Sequence, residues 1–118
     1  MTLFMTEIHV EDPIEVANWY SRVLGLRIAH RDEPKGFLLL EAPGGGRLAV
    51  KRKREQSTGA RGVRLIFGVE DVSSERDRLL GLGEQVGEPA ENSEEHYREI
   101  RLTDPEGTRI TIFCWTDR

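Results

Sequence analysis

The sequence predicts an α+β fold in which a βαβββ module occurs twice, its strands forming a curved mixed sheet around a central cavity with the helices outside. Three observations lead there. Ile8-His9-Val10-Glu11-Asp12 is echoed by Phe67-Gly68-Val69-Glu70-Asp71, with the valines and aspartates at one constant offset. Leu24-Gly25 is matched by Leu82-Gly83, and the stretch Ala42-Pro43-Gly44-Gly45-Gly46-Arg47-Leu48-Ala49-Val50 lines up with Asp104-Pro105-Glu106-Gly107-Thr108-Arg109-Ile110-Thr111-Ile112. Finally, 118 residues of which 37% are apolar supply one core and leave no room for a second domain. The expected organisation is a single domain over 1–118, divided into modules 1–58 and 59–118.

The elements follow in order. The strand through Ile8 and Val10 runs into Asp12, placed to accept the first free helix amides, and Pro13 sits where its missing N–H costs nothing. A helix from Pro13 to Val23 carries Val16, Trp19, Tyr20, Val23 and Leu24 at helical spacing and stops at Gly25. Strands are expected at Leu26 to Arg31, Phe37 to Glu41 and Arg47 to Lys53. Gly44-Gly45-Gly46 reads as a hairpin turn, because neither a helix N-terminus nor Lys-Ser/Thr follows to make it a phosphate loop.

In the second module Asp71 caps a helix from Val72 to Leu82, with Val72, Leu79, Leu80 and Leu82 as its apolar positions and Gly83 as its stop. Strands follow at Glu84 to Glu88, Tyr97 to Leu102 and Thr108 to Trp115. Glu55 to Arg61 reads as a polar link between modules. Glu88 to Glu95, with Pro89, Asn92 and Ser93, reads as a solvated acidic loop in preference to a flap.

Composition removes several functions. With 21 acidic and 17 basic residues, a net charge of −4 and a pI of about 5.4, the chain has no basic field for a nucleic-acid backbone. The run Lys51-Arg52-Lys53-Arg54 is a solvated hairpin end, which alternation splits over two faces. No run approaches the roughly 20 apolar residues of a membrane span. The single cysteine, Cys114, makes no internal disulfide, and MTLFMTEIHVEDP lacks the charged and apolar regions of an export signal, so a reducing cytoplasm is expected.

Strand alternation sorts the faces. If Ile8 and Val10 pack on a helix, Met5, Glu7 and His9 point the other way, as do Arg64, Ile66 and Gly68. In the closing strands Arg47, Ala49 and Lys51, and then Arg109, Thr111, Phe113 and Trp115, face away from the helices. Trp19 and Tyr20 belong to the core. Phe113 and Trp115 are the better ligand contacts, although Trp115, near a strand end, also suits a dimer contact. His30 and His96 read as solvated surface residues, and Glu7 and Glu41 as salt-bridge partners of Arg or Lys.

Ile8-x-Val10-x-Asp12-Pro13, Trp19-Tyr20-Ser21-Arg22-Val23-Leu24-Gly25-Leu26 and Asp104-Pro105-Glu106-Gly107-Thr108-Arg109-Ile110 resemble the vicinal oxygen chelate superfamily. This superfamily groups glyoxalase I, extradiol dioxygenases, fosfomycin-resistance enzymes and bleomycin-binding proteins. The resemblance spans nearly the whole chain and implies a homodimer. It identifies a fold that carries many chemistries, some members only binding a ligand. It also implies metal ligands, usually His, Gln or Glu, at Met5, Ala49, Arg64 and Thr111, none of which carries a normal ligand here.

The expected function is therefore metal-independent binding of a small organic molecule, for sequestration or sensing, with no metal or other cofactor. The ligand-binding residues are Met5, Glu7, His9, Arg64, Arg109, Thr111, Phe113 and Trp115. The competing expectation is a lyase, isomerase or oxygenase. It would use either a relocated metal near Glu7 and His9 or metal-free catalysis, with Glu7 or His9 as base and Arg64 or Arg109 holding an anion. A third is a partner subunit with a vestigial cavity. Neither nucleic acid nor membrane is an expected partner.

Overall fold

The computed structural model describes residues 1–54 and 63–118. The expected boundary between 58 and 59 and the link from Glu55 to Arg61 lie outside the described residues. The chain divides into two compact units, Met1–Gly62 and Val63–Arg118. Each contains one helix and a four-stranded mixed sheet, so the βαβββ module does occur twice.

In the first unit β1 (Thr6–Val10), α1 (Pro13–Leu24), β2 (Arg27–Asp32), β3 (Phe37–Glu41) and β4 (Arg47–Arg52) follow in sequence. The sheet order is β1-β4-β3-β2, with β1 parallel to β4 and the other pairs antiparallel. The helix begins as its sequence dictates: Asp12 Oδ1 accepts from the Glu15 backbone N–H at 3.0 Å, just before Pro13. It ends at Gly25, whose N–H donates to the Ser21 carbonyl, while Leu26 N–H reaches the Tyr20 carbonyl, each at 3.2 Å. Val16, Tyr20 and Val23 are fully buried, as are Leu38, Leu40 and Val50. Burial of each such side chain contributes about 1.5–3 kcal/mol. Trp19 meets Tyr20 edge-to-face at 5.1 Å, so both belong to this core.

One irregularity sets the faces of β2. The register shifts between Ile28 and His30, so Arg27 pairs with Glu41 and Ile28 with Leu40, but His30 then pairs with Leu39. The extra residue, Ala29, returns His30 to the face opposite α1. The three glycines form the expected β3–β4 turn, with the Ala42 N–H donating to the Gly46 carbonyl at 3.0 Å.

The second unit repeats the plan with β5 (Arg64–Gly68), α2 (Val72–Gly81), β6 (Ala90–Asn92), β7 (Tyr97–Thr103) and β8 (Arg109–Trp115), in sheet order β5-β8-β7-β6. Ile100, Leu102, Ile110, Ile112 and Cys114 are buried on the helix side with Val72 and Leu79. Asp71 caps α2 by accepting from the Ser73 N–H at 3.0 Å and the Ser74 hydroxyl at 2.8 Å. The β7–β8 turn is organised by buried Asp104, whose Oδ1 accepts from the N–H groups of Glu106 and Thr108, each at 2.9 Å.

Two expectations need correction. Glu84 to Glu88 is not a strand; the edge strand is β6, inside the segment read as the acidic loop. Gly87 donates one backbone bond to the Arg101 carbonyl at 3.0 Å, but its own carbonyl is taken by Arg76 Nε at 3.0 Å. Pro89 then has no N–H to give, so continuous pairing starts at Ala90. Leu80 and Leu82 do not join the core: they are 42% and 44% exposed, leaving α2 with two buried residues. Among the described residues no helix is long and apolar enough to cross a membrane.

Candidate functional site

The face of each sheet opposite its helix holds the candidate residues, and each is built by alternation along the strands. In the first unit one row across the sheet reads Glu7, Ala49, Leu39 and His30, and the next reads His9, Lys51, Phe37 and Asp32. Glu7 and His9 are joined by a hydrogen bond, Oε2 to Nε2, of 2.9 Å. The expected Arg or Lys partner of Glu7 is thus a histidine two residues along its own strand. Glu41 does take arginines: it bonds Arg27 and lies 3.8 Å from Arg47. The His30 and Phe37 rings are 6.3 Å apart and tilted. Ala49 is fully buried between these taller neighbours, and half-buried Met5 precedes β1.

In the second unit the corresponding face brings together five of the eight expected binding residues. Arg64 and Arg109 are register partners on β5 and β8, Ile66 lies beside Thr111, and Gly68 beside Phe113. Arg64 Nη1 donates to the Thr111 hydroxyl at 3.2 Å. That hydroxyl belongs to a side chain only 3% exposed, so the bond fixes the guanidinium over a buried acceptor. The Phe113 ring lies against Gly68, 3.5 Å from where a Cβ would project. It meets Trp115 edge-to-face at 5.2 Å, and the Arg118 guanidinium stands 4.4 Å above the Trp115 ring. Trp115 is 45% exposed and Ile66 is 63% exposed, which leaves apolar surface open on this face.

The sequence reading omitted several residues that these faces include. Tyr97, Glu99, Arg101 and Thr103 extend the second face along β7, as partners of Trp115, Phe113, Thr111 and Arg109. Their signal was present, since they alternate with the apolar Ile100 and Leu102. Arg101 pairs with Glu99 at 3.0 Å. Phe37 and Leu39 join the first face by plain alternation with buried Leu38 and Leu40 on β3, whereas His30 was hidden by the β2 bulge, which no residue type announces. Among the described residues no three His, Cys, Asp or Glu side chains gather as they would around a metal ion.

Comparison with known proteins agrees with this architecture. The chain is similar over 96% of its length to 97% of an integron cassette protein from the mobile metagenome of the Halifax Harbour sewage outfall, with 18% identity and a TM-score of 0.83. It is similar over 98% of its length to 96% of TnmS3, an antibiotic binding protein from Streptomyces sp. CB03234 (19% identity, TM-score 0.82). A glyoxalase/bleomycin resistance protein/dioxygenase from Nocardioides is similar over 85% of its chain, covering 99% of this one (20% identity, TM-score 0.78). At these identities the likeness is one of fold. No curated protein matches the sequence. The family model for a glyoxalase-like domain matches residues 5–113, and with both βαβββ modules inside that match the chain belongs to the glyoxalase-like family.

Proposed function

We propose that the protein binds a small organic molecule on the helix-free face of its second unit, to sequester or sense it, and that it does so without a metal ion. The observation that carries this reading is the pair of half-buried Phe113 and exposed Trp115 standing on the same strand as Thr111, whose hydroxyl holds Arg64. Aromatic surface with a few fixed polar groups is the usual make-up of a small-molecule site. The antibiotic-binding structural neighbour is consistent with such a role. The positions where the family resemblance implies metal ligands fit a divalent cation poorly. Met5 offers a thioether and Ala49 no donor, while at Arg64 a fixed positive charge donates to the oxygen of Thr111. The test is equilibrium dialysis against a panel of aromatic antibiotics and acidic metabolites. At least one compound binds below about millimolar, and Trp115→Ala weakens it; a panel with no binder overturns the reading.

A second reading rests on the Glu7–His9 hydrogen bond, which pairs two proton-transfer groups on the helix-free face of β1. It makes the protein a metal-free acid–base catalyst. Carbonyl compounds incubated in heavy water would then exchange the hydrogen beside the carbonyl, and His9→Ala would abolish the exchange. Exchange at the uncatalysed rate removes this reading.

A further inference from the structure

We propose that the ligand is an aromatic organic anion, its anionic group held by Arg64 and Arg109 beside Thr111 and its ring laid against Phe113 and Trp115. This rests on the small-molecule reading and adds the chemical class. On the strands of the second face three guanidiniums, Arg64, Arg101 and Arg109, stand against one carboxylate, Glu99, although the chain as a whole carries a net charge of −4. Glu99 is occupied by Arg101 at 3.0 Å. Arg64 bonds the neutral Thr111 hydroxyl, and Arg109 has no ion pair among the described residues.

Arg64 and Arg109 are direct cross-strand partners, an arrangement in which like charges repel and cost stability. An anion between them removes that repulsion and accepts bonds from both planar donor sets. The buried Thr111 hydroxyl draws the Arg64 head one row along the sheet, from the level of Arg109 toward that of Phe113. Two residues of strand separate Thr111 from Phe113, about 7 Å at the usual rise. That spacing suits a carboxylate, sulfonate or phosphate attached directly to a ring system. The Phe113 ring, resting on Gly68, and its edge-to-face neighbour Trp115 supply the surface for that ring.

The experiment is calorimetric titration with 2-naphthoate and with its neutral isostere 2-naphthamide, at low and at physiological salt. Naphthoate binds about tenfold tighter or more, and the margin narrows as salt screens the arginines. In Arg109→Gln, an exposed position with no bond to lose, the two compounds bind within about threefold of each other, whereas Arg109→Lys keeps a preference for the anion. Circular dichroism melts of both variants establish that the fold persists. Equal binding of the two compounds to the wild type, or an unchanged preference in Arg109→Gln, overturns the anion assignment and leaves the small-molecule reading standing. Failure of both compounds to bind at millimolar concentration also overturns the assignment, while the dialysis panel judges the broader reading separately.

Discussion

Gly36 and Gly25 both hold a left-handed backbone, with φ of 64° and 75°, but only one of them is also crowded. A Cβ at Gly25 would meet nothing within 4 Å, whereas at Gly36 it would lie 2.8 Å from Arg52 Cβ. The Gly36 carbonyl also accepts from the Arg52 N–H at 2.8 Å, which prevents the strands from parting to make room. Gly25→Ala is expected to cost about 1–2 kcal/mol, the usual penalty for a left-handed side chain, and Gly36→Ala distinctly more. Urea denaturation of the two variants measures the difference. Asp71 gives a pH-dependent counterpart. The Ser74 hydroxyl first, then the Ser73 amide, hold its carboxyl below the ordinary carboxylate range. A depressed folded-state value means that the stabilisation is present above the unfolded value of about 3.9 and fades as pH falls through the folded one. Asp71→Ala is therefore less stable than wild type at pH 7, and the gap narrows below about pH 4; Asp71→Asn, which keeps an acceptor, shows a smaller gap that narrows over the same range.

At the scale of elements the two helices are unequal. Buried residues of α1 include Val16, Ala17, Trp19, Tyr20 and Val23, whereas α2 has only Val72 and Leu79. Leu79→Ala is expected to destabilise by about 2–5 kcal/mol and Leu80→Ala by little, since Leu80 already faces water. Native-state hydrogen exchange should find α2 amides less protected than those of α1. The same inequality explains what the sequence could reveal. Asp12-Pro13 with Gly25 and Asp71 with Gly83 mark the helices in local chemistry, and the repeat carried the strand plan from one module to the other. The repeat failed at β6, where an arginine from α2 takes the Gly87 carbonyl and proline interrupts pairing. The β2 bulge hid His30, because a one-residue shift reverses faces without any marker in residue type. At the site, Phe113, Trp115, Arg64 and Arg109 were legible from alternation alone. The hydroxyl that fixes Arg64 and the arginine above Trp115 depend on contacts that no spacing encodes.

For the whole molecule, a ligand that prefers the folded state stabilises it by mass action. At a hundred times its dissociation constant the gain is about 2.7 kcal/mol, or roughly 10 °C in Tm for a chain of this size. Differential scanning fluorimetry with 2-naphthoate reads that shift, and Arg109→Gln should show a smaller one at the same concentration. Cys114 extends the same idea. It is the chain's only thiol and lies on the helix side of β8, with the 8% exposure of a core residue. An alkylating reagent can reach it only when β8 leaves its neighbours, so the rate of modification times the opening of the strand that also carries Thr111, Phe113 and Trp115. The native chain thus contains its own chemical clock for the proposed site, slowed by any compound that settles there and quickened by any substitution that loosens its frame.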